Sequence, residues 1–461
     1  MSYGSRMNAV SEANRAAAEI LATAAPSDVV MVKLKPEAAR DVAVARSARG
    51  ALAVARPLDR LTQLLERRIV SEVTPVFPLD QGEVFRGLMS ADVRVTSRRA
   101  VRAAPAPEIP KRARDLISLR VGPGTDAAQL ARDLSRDPTV EYAYVPGVKH
   151  PTAARRSRSV SRKKAKRTGP DPLSARQWSH GAVRIHEARK LEGFREATDV
   201  LVAIVDSGID QGHPDLTGVV DSFTNFLAPS EDDCDYRGHG THVAGIISAV
   251  INNAVGIAGL CKARLAVLKA LPRRGGRWNP TAYYQALAKP IELKARVVNL
   301  SLGGPLDPGE KDIVLDLLDE GIVVVAAMGN EYEEGNPKSY PAAYDGVIAV
   351  GASDEVDRRA AFSCTGRHIS LVAPGERILS TVPRYESEFA AATLYDSWPG
   401  TSMATPHVAA AAALLLAKNP RLTPSQVKKR LCSTADKTQW QTRRPSDQYG
   451  WGRLNVARAL R

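Results

Sequence analysis

The chain has 461 residues, with 64 lysines and arginines against 50 aspartates and glutamates, so its formal net charge is +14. This length exceeds that of one typical domain and predicts about two to three domains. The charge excess lies entirely in residues 1–167, which hold 31 basic and 17 acidic residues, whereas residues 168–461 hold 33 of each. The balanced part has no basic surplus to bind phosphates, which argues against nucleic acid as the main partner. No apolar run is long enough to cross a bilayer, so we expect no membrane partner.

The first third of the chain predicts a small α+β domain over residues 28–150, after a flexible amino terminus at residues 1–27. Apolar, β-branched runs predict strands at residues 28–35, 69–76, 116–121 and 140–145. Helical patterns lie between these strands, at residues 58–68 and 126–135. Two β-α-β units in series predict a ferredoxin-like layer.

A basic linker is predicted at residues 151–170. Eight arginines and lysines lie within residues 155–167, which contain no acidic residue. A block of like charges is usually solvated and accessible to proteases. Two interpretations remain open: a maturation site, where the chain is cut, and a simple spacer. A maturation cut here would leave a new amino terminus no earlier than Ala153.

From residue 171 onward, apolar strands alternate with helical patterns, as in α/β domains. Strands are predicted at residues 200–205, 265–269, 297–301, 322–327 and 347–350. Helices are predicted at residues 239–250, 280–293, 310–320 and 402–418. A last helix begins after Thr423, because Pro424 and Gln426 complete a capping-box pattern there. Right-handed crossover connections then predict a mostly parallel sheet between two layers of helices.

Three motifs in this part supply an acid, a base and a hydroxyl. Asp206 ends an apolar strand, His239 lies in the run G-H-G-T-H-V-A-G, and Ser402 lies in G-T-S-M-A-T-P-H. A serine hydroxyl needs an adjacent base to take its proton, and histidine, with an ordinary pKa of about 6.5, suits that role. A buried carboxylate orients the imidazole and stabilises its protonated form. His239 and His242 could instead form a metal pair, but no glutamate lies between them, which disfavours metal catalysis.

In this order, Asp, His and Ser, the three motifs resemble those of the subtilisin-like serine proteases. The resemblance implies a subtilisin-like three-layer sandwich over residues 171–461, preceded by an inhibitory propeptide. Residues 137–146 are similar to the end of such propeptides, and residues 449–455 to the family's carboxyl-terminal signature. The family needs no cofactor for its chemistry.

The resemblance also implies the roles of several neighbouring residues. Asn330 would contact the oxyanion together with the backbone N–H of Ser402. The strand that pairs with the substrate backbone would contain Ser301, Leu302 and Gly303. Met328 stands where the family usually has a small residue, so it would narrow the S1 pocket, which takes the side chain preceding the cleaved bond.

A structural calcium site is implied by one loop, residues 250–257, which resembles the family's calcium loop. Carboxylate, amide and backbone carbonyl oxygens suit a hard cation with about six to eight ligands. Such an ion would stabilise the fold without taking part in the reaction. An ordinary turn without an ion is the alternative. The matching positions are Asp171, Asp215, Ile251, Asn253, Val255 and Ile257.

Substrate preference is less clearly encoded. Glu331, Glu333 and Glu334 follow Asn330 and could line S1, which would favour basic residues; solvated acidic surfaces are the alternative. Three aspartates before His239 could act similarly at the adjacent S2 pocket: Asp232, Asp233 and Asp235. The four cysteines show no metal-binding spacing, and both disulfides and free thiols remain open.

We therefore predict a serine endopeptidase that cleaves proteins or peptides through an acyl-enzyme, is made as a self-inhibited zymogen, and is a monomer. Two rivals remain: a peptide-binding scaffold with this fold, and a nucleic-acid-binding protein that uses the basic linker. The apolar run at residues 16–25 contains Glu19 and lacks the long apolar core of a signal peptide. This favours a cytoplasmic enzyme or export by another route, although the family is mostly secreted.

Overall fold

The computed structural model describes residues 28–35, 69–77, 110–152, 169–227 and 232–461, together with Leu64 and Arg67. The predictions made for residues 1–27, for most of the helix at 58–68 and for linker residues 153–168 lie outside the described residues.

The amino-terminal part of the described chain forms a four-stranded antiparallel sheet with one helix on its face. Its elements are β1 (Val29–Leu34), β2 (Val70–Pro75), β3 (Leu116–Val121), α1 (Ala127–Leu134) and β4 (Val140–Tyr144). The strand order is β2-β3-β1-β4, and the neighbouring strands are antiparallel. Asp126 caps α1 by accepting hydrogen bonds from the N–H groups of Ala128 and Gln129. This strand order confirms the predicted ferredoxin-like layer, called the amino-terminal layer below.

The rest of the described chain forms an α/β domain. Its strands are β5 (His150–Pro151), β6 (Leu201–Asp206), β7 (Val220–Asn225), β8 (Arg264–Lys269), β9 (Val297–Leu300), β10 (Leu302–Gly303), β11 (Val323–Ala327), β12 (Ile348–Ser353), β13 (Leu371–Pro374), β14 (Ile378–Thr381) and β15 (Tyr395–Trp398). Its helices are α2 (Trp178–Ala182), α3 (Ile185–Ala188), α4 (His239–Ser248), α5 (Pro280–Glu292), α6 (Pro308–Asp319), α7 (Thr401–Lys418), α8 (Pro424–Thr434) and α9 (Val456–Leu460).

Seven strands make the central sheet, in the order β13-β12-β11-β9-β6-β8-β7, and each neighbouring pair is parallel. Successive side chains of a strand point to opposite faces, so β6 contributes to two cores. Val202 and Ile204 pack in the cluster that includes α4 and α7. Ala203 and Val205 pack in the cluster that includes α5 and α6. The expected three-layer sandwich with a parallel sheet is therefore confirmed.

The amino-terminal layer lies against α5 and α6, and β1 is buried on both faces. Val30 and Val32 pack against α1 within the layer. Val29 and Met31 belong to the cluster of buried side chains that α5 and α6 form under the central sheet. The chain then leaves β4 and enters the cleft of the α/β domain as β5, which pairs antiparallel with β10. None of the helices in the described ranges is long and apolar enough to cross a membrane.

Candidate active site

The acid and the base of the predicted triad are in direct contact. Asp206 is the last residue of β6 and His239 is the first residue of α4. His239 Nδ1 lies 2.7 Å from Asp206 Oδ1 and 2.9 Å from Oδ2, and both side chains are fully buried. The carboxylate is held in place because the backbone N–H of Ser207 donates to Oδ1 at 2.7 Å. This is the arrangement that fixes an imidazole with its Nε2 available for proton transfer.

Close backbone approach explains the glycine after the histidine. A Cβ added to Gly240 would lie 2.1 Å from the carbonyl oxygen of Gly208, in the turn that follows Asp206. Only glycine allows the first turn of α4 to approach β6 this closely. The G-H-G spacing in the sequence therefore follows from the contact between acid and base.

Ser402 is the second residue of α7, and its hydroxyl has other partners. Ser402 Oγ donates to the carbonyl oxygen of Ser301 at 2.7 Å and lies 2.5 Å from Oγ1 of Thr152. His239 Nε2 is buried and has no hydrogen-bond partner among the described residues. The structure thus joins Asp206 to His239 but shows no hydrogen bond between His239 and Ser402.

Thr152 lies against Ser402, where the family resemblance predicts that a substrate binds. Its carbonyl oxygen accepts a hydrogen bond from the Ser402 backbone N–H at 3.2 Å, and its own N–H donates to Ser301 at 3.4 Å. The preceding residues form β5, with Pro151 opposite Leu302 and His150 opposite Gly303. The three residues expected to bind a substrate backbone therefore bind an extended segment of this same chain.

The sequence did not predict this segment, because residues 151–170 have the composition of a linker. A strand of two residues is too short to produce an alternating pattern, and Pro151 has no N–H to donate. Pro151 and Thr152 lie in the cleft, whereas the basic run at residues 155–167 lies outside the described residues.

Asn330 follows β11 and is oriented by the residue before the serine. Its Oδ1 accepts hydrogen bonds from the backbone N–H and the hydroxyl of Thr401, both at 2.9 Å. These contacts leave the amide N–H₂ free to meet an oxyanion. Met328 is fully buried, and its side chain packs in the cluster that lines α5 and α6.

The acidic residues near the site differ in their surroundings. Asp235 is fully buried and accepts hydrogen bonds from Ser207 Oγ, the Gly238 N–H and both donors of Thr241, at 2.7–2.9 Å. It therefore holds the start of α4 and does not line S2 as expected. Burial raises the pKa of Glu331, and its Oε2 accepts from the Asn330 N–H at 2.7 Å. The four cysteines are all unbridged.

The predicted calcium loop brings its two carboxylates to one place. Asp171 accepts hydrogen bonds from the N–H groups of Asn252 and Asn253 at 2.8 and 2.9 Å. Asp215 accepts from the Asn253 side chain at 2.7 Å and from the Ile257 N–H at 2.9 Å. Burial is the main cause that raises the pKa of Asp215 to about 7, and the nearby Asp171 charge raises it further.

In this loop, backbone carbonyl groups that accept hydrogen bonds lie between carbonyl groups that accept none from the described residues and could therefore bind a cation. The carbonyl groups of Asn252 and Gly256 accept hydrogen bonds from Gly169 and Leu173. Among the described residues, none donates a hydrogen bond to the carbonyl groups of Ile251, Val255 and Ile257. Buried carboxylates without a cationic partner and unpaired carbonyl oxygens fit a hard cation. The loop residues therefore fit calcium, although no cluster of three ionisable ligands occurs among the described residues.

Comparisons with known proteins identify the family. The family model described as "Subtilase family" matches residues 197–452, more than half of the chain and including Asp206, His239 and Ser402. The chain belongs to the subtilase family. It is a subtilisin-like serine endopeptidase that acts on proteins and needs no cofactor for catalysis.

Similar proteins cover most of the chain. Subtilisin E of Bacillus subtilis (strain 168) is 36% identical over 337 residues, which are 71% of this chain and 77% of that protein. Thermitase of Thermoactinomyces vulgaris is 36% identical, over 64% of this chain and 99% of thermitase. The crystal structure of fervidolysin from Fervidobacterium pennivorans matches 95% of this chain and 61% of its own, with a TM-score of 0.69 and 22% identity. The last similarity concerns the fold alone.

Proposed function

We propose that Asp206, His239 and Ser402 are the catalytic triad of this endopeptidase, and that the chain is made as a zymogen inhibited by its amino-terminal layer. One observation supports the proposal most strongly. The Thr152 carbonyl oxygen accepts a hydrogen bond from the backbone N–H of Ser402 at 3.2 Å, and the His239–Asp206 pair of the same site is buried. A carbonyl held in this way is placed for attack by the serine hydroxyl.

In the proposed mechanism, Ser402 Oγ leaves the Ser301 carbonyl and attacks the substrate carbonyl carbon, while His239 Nε2 takes its proton. Asp206 stabilises the imidazolium through Nδ1, and the same proton then passes to the leaving amine. Negative charge on the carbonyl oxygen is stabilised by the Ser402 N–H and the Asn330 amide. A water molecule activated by His239 hydrolyses the acyl-enzyme, which restores the serine.

The same contacts support the proposal of self-inhibition. Residues 150–152 occupy the cleft by pairing with β10, so an external peptide would have to displace them. With Thr152 on the acyl side, the first cut would fall between Thr152 and Ala153. The proposed maturation site thus lies just before the basic run at residues 155–167.

We propose further that the loop at residues 250–257 holds a calcium ion. The side chains of Asp171, Asp215 and Asn253 and the carbonyl oxygens of Ile251, Val255 and Ile257 would be its ligands. The ion would supply stability only, by neutralising two buried carboxylates.

A fluorophosphonate probe, which labels activated serines, tests the triad in the full chain. We expect the wild type to be labelled and to lose labelling in Ser402→Ala. Ser353→Ala is a matched control, since Ser353 is fully buried and its hydroxyl has no partner among the described residues. An unlabelled wild type would favour the scaffold alternative, and nucleic-acid retention that weakens with salt would favour the other rival.

Amino-terminal sequencing of the processed protein tests the zymogen. We expect a new amino terminus at Ala153 in the wild type and an uncut chain in Ser402→Ala. A processed protein that begins before Ala153 would contradict this maturation site.

A further inference from the structure

Lys149 is a buried lysine in the segment that fills the cleft. It is 2% exposed, and its Nζ has three acceptors, Glu310 Oε2 at 2.8 Å and the carbonyl oxygens of Pro305 at 3.0 Å and Tyr340 at 3.3 Å. An ammonium group has three N–H donors, so every donor has a partner. This set of contacts therefore fits lysine specifically.

The acceptor carboxylate belongs to the α/β domain and is itself fully buried. Glu310 lies in the first turn of α6, and its second oxygen accepts from the Tyr283 hydroxyl at 2.5 Å. Asp307, which caps the same helix, is also buried; burial of Glu310 is the main cause that raises its pKa, and the charge of Asp307 raises it further. Two buried carboxylates side by side are costly unless a cation accompanies them. When residue 149 leaves, the pocket consequently lacks a positive charge.

The pairing in the cleft assigns this pocket to one substrate position. With Thr152 directly before the cleaved bond, Lys149 is the fourth residue on that side, P4 in protease notation. A Cβ on Gly304 would lie 2.9 Å from Lys149 Cδ, so this glycine leaves room for the lysine stem at the end of β10. The assignment rests on the proposed function, because it takes Thr152 as the acyl-side residue.

We propose that Glu310 makes the P4 pocket selective for lysine, so that the enzyme prefers substrates with Lys four residues before the cleaved bond. Arginine matches this pocket less well, since its planar fork cannot direct single N–H groups to three separate acceptors. An uncharged P4 residue leaves Glu310 buried without a cation, and an acidic one adds repulsion.

Paired peptides test the proposal on the full chain after it has processed itself. The peptides carry His-Pro-Thr before the cleaved bond and differ only at P4, with Lys, Arg, Met or Glu. We expect kcat/KM to be roughly tenfold to a hundredfold higher for Lys than for Met, with Arg between them and Glu lowest. In Glu310→Gln, the Lys-to-Met ratio should fall towards one.

Asp312→Asn is the matched control, because Asp312 lies two residues further along α6 and contacts Lys33 and Tyr142 instead of Lys149. It should keep the wild-type Lys-to-Met ratio. A wild-type ratio near one, or a high ratio that persists in Glu310→Gln, would overturn the proposal. If Glu310→Gln does not fold, it cleaves no peptide, and the wild-type ratio decides.

Failure of the proposed function gives a different result. A wild-type chain that cleaves none of the peptides and is not labelled at Ser402 would refute the triad, and the P4 preference with it. A labelled, active enzyme that ignores P4 would refute the P4 preference alone.

Discussion

Asn330, the proposed oxyanion donor, shows how one residue is oriented by its neighbour. Thr401 donates twice to Asn330 Oδ1, which leaves the amide N–H₂ for another partner, and Thr401 directly precedes Ser402 in the chain. The proposed oxyanion donor and the proposed nucleophile are therefore positioned by the same turn into α7. A donor fixed before the reaction stabilises developing charge without rearrangement.

We expect Asn330→Ala to lower kcat about 10²–10³-fold with little change in KM, which is the range observed when such a donor is removed from a related protease. Steady-state kinetics on a Lys-His-Pro-Thr peptide measure the effect. Fluorophosphonate labelling serves as the control, since Ser402 and His239 remain in place and slow labelling should persist. An unchanged kcat would show that Asn330 does not contact the oxyanion.

At the residue scale, local motifs predicted the contact of Asp206 with His239. Each of the two residues lies in a short motif whose residue types match its proposed chemical role. Lys149 and Glu310 could not be predicted in this way. They are 161 positions apart, and each alone resembles an ordinary surface charge. Asp235 was misjudged for another reason: the chain turns Gly238 and Thr241, three and six positions further on, onto its carboxylate, and a run of acidic residues does not show this turn.

The elements themselves followed hydrophobic periodicity closely. The predicted strands at residues 200–205 and 265–269 correspond to β6 and β8, and the capping box predicted at Thr423 is present at the start of α8. The edge strand β7 was missed, since its sequence V-D-S-F-T-N is only half buried and has no apolar alternation. The hairpin of β14 and β15 was missed because its strands, I-L-S-T and Y-D-S-W, contain no continuous apolar run.

The calcium loop is the element whose stability should depend on an ion and on pH. The pKa of Asp215 is about 7 in the folded chain and near its ordinary value of 3.8 when unfolded. The folded state therefore binds more protons between these values, and the contribution of Asp215 to stability falls as pH rises through this window. Calcium needs the deprotonated carboxylate, so its effect should be larger above pH 7 than at pH 5.

We expect calcium to raise the melting temperature of the full-length Ser402→Ala chain, which cannot digest itself. At a free concentration 100 times the Kd, the stabilisation is about 2.7 kcal/mol. Melting curves with calcium or with a chelator, at pH 8 and pH 5, measure both the size and the pH dependence. Asp215→Asn should abolish the difference. Asp221→Asn, at an exposed ion pair with Arg264, should retain it. Chelator-insensitive melting at pH 8 would contradict the site.

At the scale of the whole molecule, the amino-terminal layer is held to the α/β domain through α5 and α6. Apolar side chains of β1 enter the core that these helices share, and polar contacts surround them. Lys33 Nζ lies 2.6 Å from Asp312 Oδ2, and the Tyr142 hydroxyl donates to the same oxygen at 2.8 Å. Lys33 is 7% exposed, and its Nζ also lies 3.3 Å from Glu141 Oε1.

Release of this layer should therefore depend on Asp312. Asp312→Arg places two cations together at a buried contact, which we expect to weaken docking of the cleaved layer strongly, since breaking a buried pair costs about 3–5 kcal/mol. The lag between processing at Thr152 and full peptidase activity should shorten roughly tenfold or more. Peptide hydrolysis followed over time measures this lag. The rates are normalised to the fraction of protein that fluorophosphonate finally labels. Glu320→Arg reverses the charge just after the end of the same helix, but its partner Lys111 is exposed, so its lag should change little. Equal lags in the two variants would show that the buried contact does not hold the layer, and inhibition would then depend on the residues in the cleft.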